Sequence, residues 1–267
     1  MAIAVVIPAK DEHLAIGTVL ERVLAGDSGD VSDGVSDGAS GVGPARPPES
    51  PGGGDPASTP RAASPALDVV VVDGGSRDAT RELARAGGAR VIECAPGRAR
   101  QLQAGLEAAT GEVVLFLHAD TLLPRGWRAA VARALDDARC AAGAFALGFE
   151  RTGATPAQTR ALARIARAGN ARARWLGLPF GDQALFARRS ALRTIGGIPQ
   201  APLFEDVDLV WRLRGCGRVA LLRECVETSP RRYLERGAAR TVAAHAVALA
   251  GWALGAPRAP LARWLGR

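Results

Sequence analysis

Four short polar sequences each follow directly on an apolar run: Pro8-Ala9-Lys10-Asp11-Glu12, Asp73-Gly74-Gly75-Ser76-Arg77-Asp78, Pro96-Gly97-Arg98 and His118-Ala119-Asp120-Thr121. Together they supply carboxylates, small residues and a guanidinium. Carboxylates accept hydrogen bonds from a base or a ribose hydroxyl, and they hold hard cations. Magnesium or manganese is held by one or two carboxylates plus substrate phosphate oxygens rather than by an all-protein cage. The set therefore suits a nucleoside diphosphate bridged by a divalent metal. Each sequence taken alone also reads as a helix cap; all four falling at the same place in the pattern is what argues for a site.

A second group of acids stands later in the chain, Glu205, Asp206 and Asp208, beside apolar Phe204 and Val207. A carboxylate there can take a proton from an attacking hydroxyl. The same acids at a helix start would also complement the helix dipole, for about 0.3–1 kcal/mol each. Arg231 and Arg232, taken alone, read as a solvated pair.

Positioning such groups requires a particular framework. Residues 2–7, 67–72, 89–93 and 112–118 are short, β-rich and strongly apolar, as in strands buried on both faces. Helical patterns follow them at 12–25, 77–87, 98–109 and 126–138, with Leu14, Val19, Leu20 and Val23 on the apolar side of the first. This alternation predicts an α/β fold with a mostly parallel central sheet and right-handed crossovers. In such a sheet ligands bind at the carboxyl ends of the strands, where the polar sequences fall. Further on, the pattern predicts a strand near 143–149, helices at 156–175, 188–195 and 207–215, a strand at 218–222 and a C-terminal helix over Thr241–Pro257. Residues 26–66 are Gly, Pro and Ser with almost no large apolar side chain, so they are expected to be a disordered insertion.

Other ligand classes fit less well. No GxGxxG follows the first strand, and no GxxxxGK[ST] occurs. The glycine-rich basic loop that a sugar-nucleotide-forming nucleotidyltransferase would place there is also missing. With 4% aromatic residues and no recognisable RNA or DNA module, nucleic acid is not expected as a partner. The net charge of +7 rests almost wholly on arginine, Lys10 being the one lysine. It invites an anionic partner, and equally reads as ordinary solvated surface in an arginine-rich composition. Arg160, Arg164 and Arg167 recur at helical spacing around Leu162, Ile165 and Ala166, followed by Arg172, Arg174 and Trp175. That pattern fits either a solvated helix face or a basic amphipathic helix on anionic lipid. Cys94, Cys140, Cys216 and Cys225 form neither a zinc pattern nor a disulfide framework. With no basic leader at the N-terminus, a cytoplasmic protein is expected, with the inner face of the cell membrane as its lipid contact if it has one.

The chain resembles the family-2 glycosyltransferases of the GT-A fold, a Rossmann-like nucleotide-diphospho-sugar transferase fold. The resemblance is carried by VVDGGSRDAT (71–80), GRARQLQAG (97–105), LFLHADT (115–121), GDQALF (181–186), GGIPQAPLFEDVDLVWRL (196–213) and TSPRRY (228–233). It implies one GT-A domain over 1–267, with a nucleotide-binding half to about 125 and an acceptor-side half beyond. Pro8, Glu12 and Asp73 would line the base and ribose pocket. Gly75, Ser76, Arg98 and Gln101 would lie near the ribose and diphosphate, and Asp182 and Gln183 near the donor sugar or acceptor. His118 and Asp120 stand where relatives carry their metal-binding DxD, with His in place of the first Asp. Glu205 and Asp206 match the acidic pair that supplies the catalytic base, and Arg231 and Arg232 the basic motif. Asp11 occupies a position usually held by asparagine. The implied activity is inverting, metal-dependent transfer of a hexosyl-type sugar, with Mn2+ or Mg2+, onto a lipid, carotenoid, polysaccharide or small-molecule acceptor. A nucleotidyltransferase and a non-catalytic nucleotide-binding protein are the alternatives.

Overall fold

A computed structural model describes residues 1–27, 67–151 and 153–265. Most of the expected 26–66 insertion lies outside the described residues; its first two positions, Gly26 and Asp27, end a 3-10 turn over Ala25–Asp27.

The first half alternates as its sequence predicts. Strand β1 covers Ile3–Ala9, helix α1 Ile16–Leu24, β2 Leu67–Asp73, α2 Thr80–Ala86, β3 Arg90–Glu93, α3 Arg98–Ala108 and β4 Val113–Phe116. These four strands are parallel, in the order β3-β2-β1-β4. Both faces of β1 are covered: α1 buries Ile16, Val19, Leu20 and Val23 on one side, and α3 sets Leu102 and Leu106 on the other. Full burial of such a side chain contributes about 1.5–3 kcal/mol. Helix α3 can lie close to the sheet because residue 105 is glycine; a Cβ there would come within 2.2 Å of Val6.

The second half reverses direction. After a two-residue strand β5 (Thr121–Leu122) and helix α4 (Trp127–Leu135), strand β6 (Cys140–Phe149) leads to the long helix α5 (Pro156–Leu176). Strand β7 (Leu185–Arg188) runs antiparallel beside β4, and β6 lies antiparallel to β7. Helices α6 (Arg189–Thr194) and α7 (Glu205–Leu213) precede strand β8 (Arg218–Thr228), and α8 (Arg231–Arg236), α9 (Ala238–Ala253) and α10 (Arg258–Trp264) end the described chain. The eight-stranded order is β3-β2-β1-β4-β7-β6-β8-β5.

Several expectations are corrected here. Helix α1 begins at Ile16 rather than 12, and Leu14 is 81% exposed instead of packed. The cause is the loop before it: Asp11 has φ +54, and residues 11–13 donate their backbone N–H groups across to the β2 loop. Helix α7 begins two residues earlier than expected, at Glu205. Strand β8 runs on to Thr228, six residues past its expected end. The expected C-terminal helix is α9, which starts three residues earlier and ends four residues sooner, and a further helix, α10, follows it. Arg172 does not join a solvated arginine row, since its guanidinium lies 3.4 Å over the Phe180 ring. Helix α5 otherwise follows its sequence, with Thr155 and Gln158 forming a reciprocal cap ahead of Pro156.

Candidate active site

The loops after β1 and β2 are stitched into one unit. Ser76 Oγ accepts from Asp11 N at 2.9 Å, Thr80 Oγ1 from Glu12 N at 2.8 Å, and Asp11 Oδ1 from Arg77 N at 2.8 Å. Asp73 lies beneath them, fully buried. Its carboxylate accepts from Gly75 N, Ser76 N and Ser76 Oγ, so it holds the turn that follows its own strand. Gly75 is exposed at the tip of that turn, and Pro8 is half-buried.

Two glutamines among the expected ligand contacts are committed to the backbone. Gln101 is buried and donates to the Ala9 and Val72 carbonyls, both at 2.9 Å. It thereby locks the ends of β1 and β2 side by side. Gln183, also buried, donates to the Phe145 carbonyl at 3.1 Å and accepts from Phe180 N at 3.1 Å.

The remaining expected residues meet in two adjoining groups. In the first, Arg98, His118, Gly181, Glu205 and Asp206 converge. Arg98 Nε lies 2.7 Å from Glu205 Oε1, and its Nη2 contacts His118 Nε2. Asp206 Oδ2 accepts from Gly181 N at 2.7 Å and its Oδ1 from Val207 N at 2.9 Å. The point where a Cβ on Gly181 would stand is 2.6 Å from Arg98 Nη2, 3.1 Å from Asp206 Oδ2 and 3.3 Å from His118 Nε2. Only glycine leaves that space clear.

The second group is Glu12, Asp120, Arg231 and Arg232. Arg231 Nη2 is 3.5 Å from Glu12 Oε2, an oxygen shielded from solvent and without a hydrogen bond. Burial raises the Glu12 carboxyl above its ordinary value, and the nearby Asp120 charge acts the same way. Burial likewise raises Asp120, against the charges of Arg231, Arg232 and Arg98. His118 Nδ1 lies 4.0 Å from Asp120 Oδ1, joining the two groups. The arginines arrive because β5 pairs Thr121 with Thr228, and Ser229 N donates to the Asp120 carbonyl at 3.0 Å.

Further residues outside the expected site set contribute. Arg172 faces Asp182, whose Oδ1 is shut off from solvent without a hydrogen bond. Burial raises the Asp182 carboxyl, the Asp206 charge adds to this, and Arg172 and Arg98 oppose it. Tyr233 is pushed up to about 12, by burial first and the Asp182 charge next. Asp208 holds Trp252 Nε1 at 3.1 Å and the Arg258 guanidinium, fastening α9 and α10 to the acid-bearing helix. Arg172 stood in the sequence only as one of a row of arginines, Tyr233 only as the last residue of TSPRRY, and Arg258 had no signal.

No group of three or more His, Cys, Asp or Glu side chains forms a metal cage among the described residues. A divalent cation that shares its shell with phosphate oxygens needs only one or two carboxylates. Glu12 and Asp120, whose charges act on each other and whose carboxyls are both raised by burial, fit that requirement.

Four parallel strands carrying polar loops at their carboxyl ends, followed by an antiparallel strand and an acid-bearing helix, define a GT-A α/β protein. Residues 61–196, just over half of the chain, match the family described as glycosyl transferase family 2, and the chain belongs to that family. The fold is similar to that of S. aureus TarS, with TM-score 0.56 at 16% identity over 88% of this chain and 38% of TarS. TarS 1–349 in complex with UDP-GlcNAc gives TM-score 0.56 and 16% identity, over 86% of this chain and 58% of that one. Glucosyl-3-phosphoglycerate synthase from Mycobacterium tuberculosis, in complex with Mn2+, UDP and glucosyl-3-phosphoglycerate, gives 0.55 and 22%, over 96% of this chain and 81% of that one. This chain thus spans less than two thirds of the TarS chains it resembles. No curated protein sequence gives a match.

Proposed function

We propose that the chain transfers a hexosyl-type sugar from a nucleotide-diphosphate donor to an acceptor hydroxyl, with inversion at the anomeric carbon. The observation that carries this reading is the convergence of Arg98, His118 and Asp206 on the space that Gly181 leaves open. The Asp206 carboxylate would take the proton of the attacking hydroxyl, while Gly181 N and Val207 N hold it in place. Glu205, buried and paired with Arg98, would fix the guanidinium beside the donor rather than act as the base. A divalent ion on Asp120, with Glu12 beside it, would neutralise diphosphate charge. Arg231 and Arg232 would stabilise the leaving nucleoside diphosphate. UDP and Mn2+ in the M. tuberculosis enzyme's complex support this donor and metal. The first half of the chain, to about residue 125, would then hold the nucleotide, and the remainder the acceptor.

A membrane contact belongs to the same reading. Arg160, Arg164 and Arg167 are exposed on α5, and at its end Trp175 is 81% and Leu176 59% exposed. Sedimentation with anionic but not neutral vesicles is the expected result. The deciding test of function is NMR of the product anomer formed from a UDP-sugar: inversion supports the reading and retention overturns it. Pyrophosphate release from a nucleoside triphosphate and a sugar phosphate would replace it with donor synthesis.

A further inference from the structure

Helices α8, α9 and α10 close around a cavity of about 400 Å³. Its wall carries Arg232 and Arg236 from α8, Arg240 and His245 from α9, Trp264 from α10, and Leu265. The three arginines recur every fourth residue as α8 passes into α9 through Gly237, at φ +83. Among the described residues no carboxylate lines the cavity, and none of the three arginines forms an ion pair. Like charges gathered in a concave wall repel one another until an anion enters, and a concave site focuses their field. The first turn of α9, at Arg240 and Thr241, adds the positive end of a 16-residue helix. The wall is also organised in advance: Arg236 Nη1 donates to the Leu265 carbonyl at 3.4 Å, and Thr241 Oγ1 to the Gly237 carbonyl at 2.9 Å.

Planar guanidinium forks match phosphate oxygens in pairs. Trp264, 59% exposed, offers an apolar face to whatever the phosphate is attached to. The volume falls within the roughly 300–1,000 Å³ of small-molecule sites. Arg232 links the cavity to the catalytic groups, because it lines the wall while its charge also acts on Asp120. We propose that this cavity binds the phosphate group of a phosphorylated acceptor. The word acceptor rests on the glycosyl-transfer reading; the phosphate chemistry does not.

The test is calorimetry with inorganic phosphate and glycerol 3-phosphate as probes, in saturating UDP and manganese so that the nucleotide site is already filled. Both probes should bind the natural protein. Arg240→Gln changes an exposed side chain with no hydrogen bond among the described residues, so the fold should be untouched. It should weaken both probes about tenfold or more, the worth of a charged hydrogen bond, and leave UDP affinity unchanged. Arg240→Lys should recover part of the loss, and Arg236→Gln/Arg240→Gln should abolish binding. Phosphatidylcholine vesicles with and without phosphatidic acid separate the sources. Arg240-dependent capture by the acidic vesicles assigns the phosphate to a lipid-borne acceptor, and dependence with the soluble probes alone assigns it to a soluble one. Equal probe affinity in the natural protein and both glutamine variants overturns the proposal. Failure of UDP to bind at all would instead overturn the glycosyl-transfer reading.

Discussion

Asp206 and Gly181, far apart in sequence, are joined by a 2.7 Å hydrogen bond from the glycine N–H to the aspartate Oδ2. That bond aims the carboxylate into the space the glycine leaves open. Asp206→Asn preserves the shape and removes the proton acceptor. Transfer should fall by about 10²–10⁴, the usual worth of a general base, with donor affinity nearly unchanged. Single-turnover rates beside UDP titrations check this. Near-normal turnover in Asp206→Asn with an inactive Glu205→Gln would move the base one residue upstream.

Gly181→Ala should be damaging for a different reason. The added methyl would come 2.6 Å from Arg98 Nη2 and 3.1 Å from Asp206 Oδ2. Backbone and guanidinium cannot both yield without spoiling the constellation. Donor affinity and rate should fall together, while the circular dichroism spectrum stays native. A variant with full donor affinity would show that the open space is not part of the site.

The Arg98–Glu205 pair is expected to matter for stability as well as binding. Glu205 is 3% exposed and its carboxylate takes the Arg98 Nε at 2.7 Å. Removing one partner of a buried pair typically costs about 3–5 kcal/mol, and Arg98→Ala should approach the lower end because the arginine is partly solvated. Adding Glu205→Gln should recover part of the loss, because the buried carboxylate no longer carries a charge. Urea unfolding of the two single variants and the double variant measures this. Additive losses would show that the pair is not coupled.

How far the sequence reached follows from the range of each interaction. Strands β1, β2 and β4 were legible because burial on both faces writes itself as an unbroken apolar run; the edge strand β3, RVIE, is only partly buried and showed through its place in the alternation. Strand β5 was not, being two residues long, and neither was β7, whose LFAR runs straight from a polar 3-10 turn into an arginine pair. The carboxyl-end loops were correctly located as polar and clustered. What each side chain does within them was not legible. Gln101 sits in a motif that suggests ligand contact, yet its side chain donates to two backbone carbonyls. The start of α7 was misjudged because Phe204 adopts φ +59, a conformation that a bulky side chain rarely takes and no sequence pattern announces.

Phe204 itself gives the next prediction. Its left-handed backbone costs about 1–2 kcal/mol, which glycine would relieve. Its side chain, 8% exposed, packs with Leu203, Val207, Ala248 and Ala262. Truncating a buried phenylalanine costs about 3–5 kcal/mol, so packing outweighs strain. Phe204→Gly should be destabilised by roughly 1–4 kcal/mol, the difference between those two ranges. A melting temperature above the natural protein's would mean that strain, not packing, dominates.

Asp182 sets a pH dependence whose sign is opposite to that of a salt-bridged acid. Burial raises its carboxyl above the ordinary 3.8, the Asp206 charge adds to this, and Arg172 and Arg98 only partly oppose it. The folded protein therefore holds this proton more tightly than the unfolded chain does. Stability then falls as pH rises from the unfolded value through the raised folded one, and the full cost persists above it. Well below 3.8 the group is protonated in both states and contributes nothing. Asp182→Asn keeps the shape without the charge. It should melt higher than the natural protein at about pH 8, and the gap should close as the pH is lowered below about 4. Scanning calorimetry across that range is the check. A variant that melts lower at about pH 8 would show that the ionised carboxylate is needed to hold Arg172, and that its attraction outweighs the burial cost.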